Sequence, residues 1–344
     1  MKHFAPAVAL LMALAFATSA WAQQPFPSGP VNPPPPPRDS TRLTPLTELG
    51  AAKYKGEDGG LYGGGRNEPP TAHAAAARKQ SAEIMPRDAD GKPAKDGQIG
   101  VLAVGMSNTT MEYSAFKRLA EGDPEMSPRV VLVDGAQGGK TGMVWARGES
   151  LVWQVVEERL QRAGVTSQQV QVVWLKQAEA GPARLGEFPE HAQVLETHLV
   201  SILNLLHQKF PNLRIVYLSS RIYAGLATTP LNPEPYAYES AFAVRWVIRD
   251  QISGKPELNC DPAHGEVKSP LVLWGPYLWA DGVRPRKGDG LVWSKQDLSP
   301  RDGTHPAMPE GAKKVAKLLL TFFKTDPFTK RWFTVEAPVA PASR

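Results

Sequence analysis

The stretch IGVLAVGMSNTT, residues 99–110, opens the patterned part of the chain. Its first seven residues are apolar or glycine, which predicts a buried strand, and the amphipathic run over 109–121 predicts a helix after it. Ser107 therefore lies on a strand-to-helix turn, where a hydroxyl stands above a sheet and a helix N-terminus offers free N–H donors. Two roles are open for Ser107: an exposed nucleophile on a tight turn, or the N-cap of the helix.

The same alternation of short apolar runs and amphipathic stretches continues over residues 98–326. Strands are predicted over 99–105, 129–135, 169–175, 213–220 and 271–275, and helices over 109–121, 149–164, 189–210, 238–252 and 309–325. Strands that alternate with helices predict an α/β fold with a parallel, doubly wound sheet. Ligands of such sheets bind at the carboxyl ends of the strands, so functional residues are expected there.

The N-terminus has the pattern of a secretory signal peptide over residues 1–22. Lys2 and His3 precede a short apolar run, and Ala20-Trp21-Ala22 is typical of a cleavage site. A membrane anchor is the alternative, but the run is short and no second hydrophobic span follows. The pattern predicts a periplasmic or secreted protein without an integral membrane segment after cleavage.

The rest of the chain falls into four further predicted segments. Residues 23–38, which include five consecutive prolines, are typical of an extended tether. Residues 39–97 are Gly-rich and turn-rich with one predicted helix over 72–84, and are expected to be an arm or lid without a core of its own. A main domain is expected over 98–326 and a C-terminal tail over 327–344. The net charge of +5 is modest and spread along the chain, which gives no support for nucleic-acid binding.

The Gly-rich stretch VVLVDGAQGGKTG, residues 130–142, is close to a phosphate-binding loop. Gly139-Lys140-Thr141 matches the end of GxxxxGK[ST], but Asp134 stands where the first glycine belongs. A carboxylate disfavours a bound phosphate, and a secreted protein meets few nucleoside triphosphates. The same glycines could instead present backbone N–H groups to another negative oxygen.

A base for Ser107 is predicted in the loop PRDGTHPAMPEGA, residues 300–312. Asp302 precedes His305 by three residues, so its carboxylate can accept from Nδ1–H and leave Nε2 free to take a proton from a serine. Of the seven histidines, His305 alone combines an acidic neighbour, a loop position and a following helix.

Four sequence blocks together resemble the SGNH (GDSL-like) hydrolase superfamily. They are G-x-S-N after the first strand, the Gly-rich block after the second, W-x-x-Q-x-E after the third and D-G-x-H-P before the last helix. The likeness covers residues 98–326 and is strongest to its carbohydrate acetylesterase branch, the sialate and acetylxylan acetylesterases. It implies a three-layer α/β/α sandwich with a flavodoxin-like parallel sheet. It also implies Ser107 as nucleophile, His305 as general base and acid, and Asp302 as its orienting carboxylate.

The resemblance further implies an oxyanion hole made by the N–H groups of Ser107 and Gly139 and the side-chain amide of Gln177. Most members of the superfamily place an asparagine in G-x-N-D at the third block, whereas this chain has Lys176-Gln177-Ala178-Glu179. The acetylesterase branch uses glutamine in Q-G-E, which Gln177 and Glu179 match. Lys176 is expected to be solvated.

Other polar and aromatic residues near the predicted strand ends are candidates for substrate binding. These are Asn108, Arg221, Tyr223 and Trp279. No cofactor is expected and no metal, because the histidine and cysteine of CDPAH, residues 260–264, lack a partner cluster. Cys260 is the one cysteine, so an intrachain disulfide is excluded.

The sequence therefore predicts a secreted serine esterase acting on O-acetyl groups of carbohydrates. Two alternatives stay open: an SGNH-like protein that binds glycans or cell-wall material without turnover, and a lipase or thioesterase with the same triad. The pattern does not define an oligomeric state.

Overall fold

The computed structural model describes residues 35–335. The predicted signal peptide, residues 23–34 of the predicted tether and residues 336–344 of the predicted tail lie outside this range. The described part contains a five-stranded sheet in the order β2-β1-β3-β4-β5, and every neighbouring pair of strands is parallel. This is the flavodoxin-like order. The predicted fold class is confirmed.

The strands are β1 Ile99–Gly105, β2 Val130–Asp134, β3 Val170–Lys176, β4 Ile215–Ser219 and β5 Leu271–Trp274. The α-helices are α1 Leu46–Leu49, α2 Thr71–Ala82, α3 Ser107–Glu121, α4 Gly142–Trp145, α5 Leu151–Arg162, α6 Glu190–Lys209, α7 Tyr236–Ile252, α8 Glu310–Thr325 and α9 Lys330–Phe333. The predicted strands and long helices are confirmed, with boundaries that agree within two residues. The four-residue helices α1, α4 and α9 were not predicted, because so short a helix shows no periodicity.

The sheet is the middle layer of three. Helices α2, α3 and α8 pack on one face, and α5, α6 and α7 pack on the other. All residues of β1, β3, β4 and β5 are buried, because helices cover both faces of the sheet. The near-continuous apolar character of these strands follows from that position.

The arm over residues 39–97 packs along the β5 side of the sheet. Its helix α2 contacts β4 and β5, and Nε2 of His73 lies 2.8 Å from the carbonyl oxygen of Val272. Further along the arm, Ser40 donates to Asp281 at 2.6 Å and Lys55 pairs with the buried Glu239 at 2.9 Å. These contacts hold the arm against β5, α7 and the loop that follows β5.

The last described residues return to the core. Trp332 and Phe333 of α9 are buried, and Phe333 stacks on Phe116 of α3 and Phe323 of α8. This part of the predicted tail therefore contributes apolar contacts beside the first crossover helix. Within residues 35–335, no helix is both long and apolar enough to cross a membrane.

Candidate active site

Four consecutive side chains at the start of α3 contact four different parts of the protein. Ser107 faces the loop of His305, and Asn108 donates to the carbonyl oxygen of Thr304 at 2.8 Å. Thr109 donates to the carbonyl oxygen of Lys176 at the end of β3, at 2.9 Å, and Thr110 donates to Asp134 at the end of β2. The turn is thereby fixed to its neighbours on both sides.

The structure brings Ser107, His305 and Asp302 together in one hydrogen-bonded chain. Oγ of Ser107 lies 2.6 Å from Nε2 of His305, and Nδ1 of the same ring lies 2.8 Å from Oδ2 of Asp302. The helix begins at Ser107 itself, its N-cap is Met106, and no side chain caps it. The N-cap interpretation of Ser107 is therefore wrong, because its hydroxyl is engaged by the histidine.

The Asp302 carboxylate also shapes its own loop. Its Oδ1 accepts the backbone N–H groups of Thr304 at 2.9 Å and of His305 at 3.0 Å. Burial raises the pKa of Asp302, but these two donors and the nearby His305 outweigh burial, so the pKa lies below its normal value. The carboxyl is therefore ionised at neutral pH and can orient the imidazole.

The Gly-rich loop after β2 lies beside the serine. A Cβ placed on Gly138 would lie 3.9 Å from the Cβ of Ser107, and Gly139 adopts a φ of +72°, which favours glycine. Within residues 35–335, neither the N–H of Ser107 nor that of Gly139 has a hydrogen-bond acceptor. Both backbone N–H groups therefore lack an acceptor within the described residues, and Gly138, the neighbour of Gly139, lies beside Ser107.

The residues after β3, 177–179, contact the Gly-rich loop after β2 and the start of α4. Gln177 is buried, and its Nε2 donates to the carbonyl oxygen of Lys140 over 3.4 Å, a weak contact that engages one of two amide hydrogens. Gly142 N–H donates to the carbonyl oxygen of Ala178 at 3.2 Å. The Glu179 carboxylate lies so close to Gly142 that a Cβ there would come within 2.2 Å of Oε1.

A second histidine–carboxylate contact, between His198 and Glu179, lies beside the Gly-rich loop after β2. Sequence reasoning missed this contact. Nδ1 of His198 lies 2.9 Å from Oε1 of Glu179, and Glu179 is buried. The one signal in the sequence was the spacing of His191 and His198 along α6, which predicts a shared helix face but not a carboxylate opposite it. This pair does not join the Ser107–His305 chain among the described contacts.

Lys176 is not solvated, which corrects the expectation from sequence. It is 1% exposed, and its Nζ lies 2.5 Å from Oε2 of Glu112, which is fully buried on α3. Burial lowers the pKa of Lys176 to about 8, although Glu112 opposes that shift. The pair lies between α3 and β3, because Lys176 is the last residue of a strand that is covered on both faces.

The four candidates for substrate binding are all inside the protein. Asn108 and Arg221 both donate to the carbonyl oxygen of Thr304, Tyr223 donates to that of Arg38 at 2.8 Å, and Trp279 donates to Glu234 at 2.8 Å. Each is at most 1% exposed. Strand-end position alone does not make a side chain line a pocket, because later loops and the arm cover these ends.

The stretch over 130–142, which comprises β2 and the loop after it, has the carboxylate of Asp134 where a phosphate-binding loop has its first glycine. Asp134 accepts from Thr110 and from Ser114 at 2.8 Å, and Lys140 is exposed. Over residues 35–335, no group of three or more histidine, cysteine, aspartate or glutamate side chains could hold a metal ion.

No family model and no curated protein matches this chain. Solved structures similar to it include a protein from Arabidopsis thaliana, with a TM-score of 0.31 and 16% identity over 60% of this chain and 65% of that chain. A protein from Bacillus subtilis has a TM-score of 0.36 and 10% identity over 68% and 59%. An extracellular lipase from Streptomyces rimosus has a TM-score of 0.31 and 12% identity over 64% and 99%.

This chain spans less than two thirds of the length of the Arabidopsis and Bacillus proteins. At such TM-scores and identities these likenesses do not identify an activity.

Proposed function

We propose that this protein is a serine hydrolase that cleaves carboxylic esters through an acyl-serine intermediate. The observation that carries the proposal is the continuous hydrogen-bond path from Ser107 through His305 to Asp302, with distances of 2.6 and 2.8 Å. The side chains of His305 and Asp302 are 17% and 16% exposed, so the path is reachable from solvent and still shielded from most of it.

In this mechanism Nε2 of His305 takes the proton of Ser107 as Oγ attacks the ester carbonyl. The imidazolium is stabilised by the Asp302 carboxylate. It then protonates the leaving alcohol, the C–O bond of the ester breaks, and an acyl-serine remains. Water activated by His305 attacks that acyl group and releases the acid, which restores the serine.

The negative oxygen of each tetrahedral intermediate would be held by the free N–H groups of Ser107 and Gly139. Gln177 would add a third donor through the amide hydrogen that Lys140 does not accept. Loss of a single donor of this kind typically costs about 2.7–4 kcal/mol of transition-state stabilisation.

The preferred substrates are O-acetyl esters of carbohydrates, outside the cytoplasm. This part of the proposal is supported by the likeness of G-x-S-N, Q-x-E and D-G-x-H-P to carbohydrate acetylesterases and by the signal-like residues 1–22. A main domain over 98–326 with an arm over 39–97 is part of the same proposal.

The test is hydrolysis of p-nitrophenyl acetate, followed by acetylated glycans, with Ser107→Ala and Ser114→Ala side by side. Ser114 lies on the same helix and donates to Asp134, so it is a matched control away from His305. The proposal predicts that Ser107→Ala abolishes turnover and labelling by a fluorophosphonate, whereas Ser114→Ala retains both. Ester hydrolysis that survives Ser107→Ala contradicts it.

Two observations favour the alternative functions, glycan binding without turnover and lipid ester hydrolysis, and the same experiment tests both. The Gln177 amide already contacts Lys140, which would favour a glycan-binding protein with a weak oxyanion hole. Met308, three residues after His305, is 52% exposed, which would favour a lipid substrate. Glycan binding without phosphonate labelling indicates the first, and a rising rate with acyl-chain length indicates the second.

A further inference from the structure

The carbonyl oxygen of Thr304 accepts two buried side-chain donors immediately before His305. Nδ2 of Asn108 lies 2.8 Å from it and Nη2 of Arg221 lies 2.9 Å from it. All three residues are at most 1% exposed. Both lone pairs of this carbonyl oxygen are thus engaged by side chains from two other elements.

The two donors hold a loop whose other hydrogen bonds are mostly local, apart from the Ser107–His305 bond and the N–H of Thr228, which donates to the carbonyl oxygen of Asp302 at 3.0 Å. Asp302 bonds to the N–H groups of Thr304 and His305, and these bonds fix the internal shape of the loop. They do not set its distance from α3. Asn108 does so directly, because it follows Ser107 in the chain and bonds to the residue that precedes His305.

Arg221 reaches the same oxygen from the loop after β4. Its backbone N–H donates to Ser240 at 3.2 Å, which fixes the base of the side chain. Within residues 35–335 its buried Nε has no hydrogen-bond partner, so the guanidinium is not placed to satisfy all of its own donors. Burial lowers the pKa of Arg221, and Glu112, Glu234 and Asp302 oppose that shift.

Burial of a cation with an unpaired donor costs free energy, so the position of Arg221 calls for an explanation beyond stability. A guanidinium is a rigid, permanently charged donor, so it locates a carbonyl oxygen better than a flexible side chain would. Together Asn108 and Arg221 approach the Thr304 peptide from the nucleophile side and from the β4 side.

We propose that Asn108 and Arg221 are positioning residues that set the distance between Ser107 Oγ and His305 Nε2. This inference rests on the proposed ester hydrolysis. Neither side chain touches substrate; both act through the Thr304 peptide. Loss of either donor lets the loop over 302–305 shift relative to α3, and a shift of about 1 Å can lower a rate about 100-fold.

The experiment compares Asn108→Ala and Arg221→Gln with Gln251→Ala in the full-length protein. Gln251 is a buried amide at the far end of α7 that donates to the carbonyl oxygens of Leu258 and Pro270, both at 3.0 Å. It therefore matches the chemistry of the Asn108 contact away from the triad. The readouts are kcat and KM for p-nitrophenyl acetate, the fluorophosphonate labelling rate and the melting temperature.

The expected result is a fall in kcat and in labelling rate of about 10- to 100-fold for Asn108→Ala, with KM within twofold of wild type. Gln251→Ala should have a lower melting temperature than wild type but the same kcat. Arg221→Gln should act like Asn108→Ala, and if it does not fold, Asn108→Ala alone decides. An unchanged kcat in folded Asn108→Ala overturns the inference, as does an equal fall in kcat in Gln251→Ala.

Failure of the proposed ester hydrolysis gives a different result from failure of the positioning roles. A folded wild-type protein that neither hydrolyses esters nor reacts with the phosphonate contradicts the ester hydrolase and the positioning roles together. A fully active wild type whose Asn108→Ala variant is equally active contradicts only the positioning roles.

Discussion

Nζ of Lys176 lies 2.6 Å from Oε1 and 2.5 Å from Oε2 of Glu112, in the interior between the helix that carries Ser107 and the third strand of the sheet. Both side chains are at most 1% exposed. Each charge is far from water, so Lys176 depends on Glu112 for compensation, and Glu112 depends on Lys176 and on the nearby charge of Arg221. The pair therefore couples α3 to the end of β3 through an interaction that neither element can make alone.

Replacement of one partner of this pair should be strongly destabilising. Lys176→Met leaves an unpaired carboxylate in the core, and we expect the free energy of unfolding to fall by about 3–5 kcal/mol. The double variant Lys176→Met/Glu112→Leu should recover part of that loss, because the pair is removed together, while the buried Arg221 loses the attraction of Glu112. Urea unfolding of the two single variants and the double variant measures the coupling, and strictly additive losses would contradict it.

The close approach of Gly142 to Glu179 predicts that a Cβ at position 142 destabilises the Gly-rich loop after β2. In Gly142→Ala the methyl group would meet Glu179 Oε1 at 2.2 Å, so the loop or the carboxylate must move. We expect a loss of about 1–3 kcal/mol in unfolding free energy and a lower kcat.

Glu179→Ala provides the control for this clash, because it removes the carboxylate that the new methyl group would meet. The double variant Gly142→Ala/Glu179→Ala should lose less stability than the sum of the two single variants. A double-mutant cycle by thermal or urea unfolding gives the interaction energy. No measurable interaction energy would show that the loop relaxes away from Glu179 without cost.

A pH-dependent stability is expected from Asp326, at the C-terminal end of α8. Burial raises the pKa of Asp326 to about 6, the N–H of Phe328 opposes the shift, and the charge of Glu68 adds to it. An aspartate in the unfolded chain ionises near pH 3.9. Between about pH 4 and pH 6 the folded state therefore binds more protons, and its stability falls as the pH rises.

Melting temperatures of wild type and Asp326→Asn at pH 4, 5, 6 and 7 test this. The wild type should lose stability relative to the variant across that range, because only the wild type must ionise a buried carboxyl. Glu68→Gln should narrow the pH range over which stability falls, because removal of the negative charge of Glu68 lowers the pKa of Asp326. Parallel curves for wild type and Asp326→Asn would contradict the pKa of Asp326.

The contact of the arm with Asp281 predicts a local change in proteolysis. Asp281 is 1% exposed and accepts the hydroxyl of Ser40 at 2.6 Å and the N–H of Thr41 at 3.0 Å, beside the exposed Arg42. Asp281→Asn should weaken these bonds and raise the initial rate of trypsin cleavage after Arg42.

The half-buried Asp261, which accepts the N–H of Ala263, provides a control for that measurement. Asp261→Asn removes the same charge at a carboxylate that accepts from Ala263 rather than from Ser40 or Thr41, and it should leave cleavage after Arg42 unchanged. Equal cleavage rates in wild type and Asp281→Asn would show that other contacts, such as that of Lys55 with Glu239, hold the arm without help from Asp281.

Much of the fold could be predicted because its signals are local. The apolar run of β1 and the amphipathic pattern of α8 reflect the surface that each element buries, and that surface repeats along the chain. Asp302 and His305 were also within reach of sequence reasoning, since their relationship is confined to one short loop. Their distance to Ser107 was not, because 198 positions separate Ser107 from His305.

The sequence by itself determined the alternation of strands and helices, the turn that carries Ser107 and the local geometry possible for Asp302 and His305. The tertiary structure alone decided that Lys176 pairs with Glu112, that His198 meets Glu179 and that Arg221 bonds to the Thr304 peptide. Sequence periodicity records which faces are apolar, but a polar side chain in the interior takes its partner from whatever element packs against it. That partner is set by crossovers and loop packing over the whole chain.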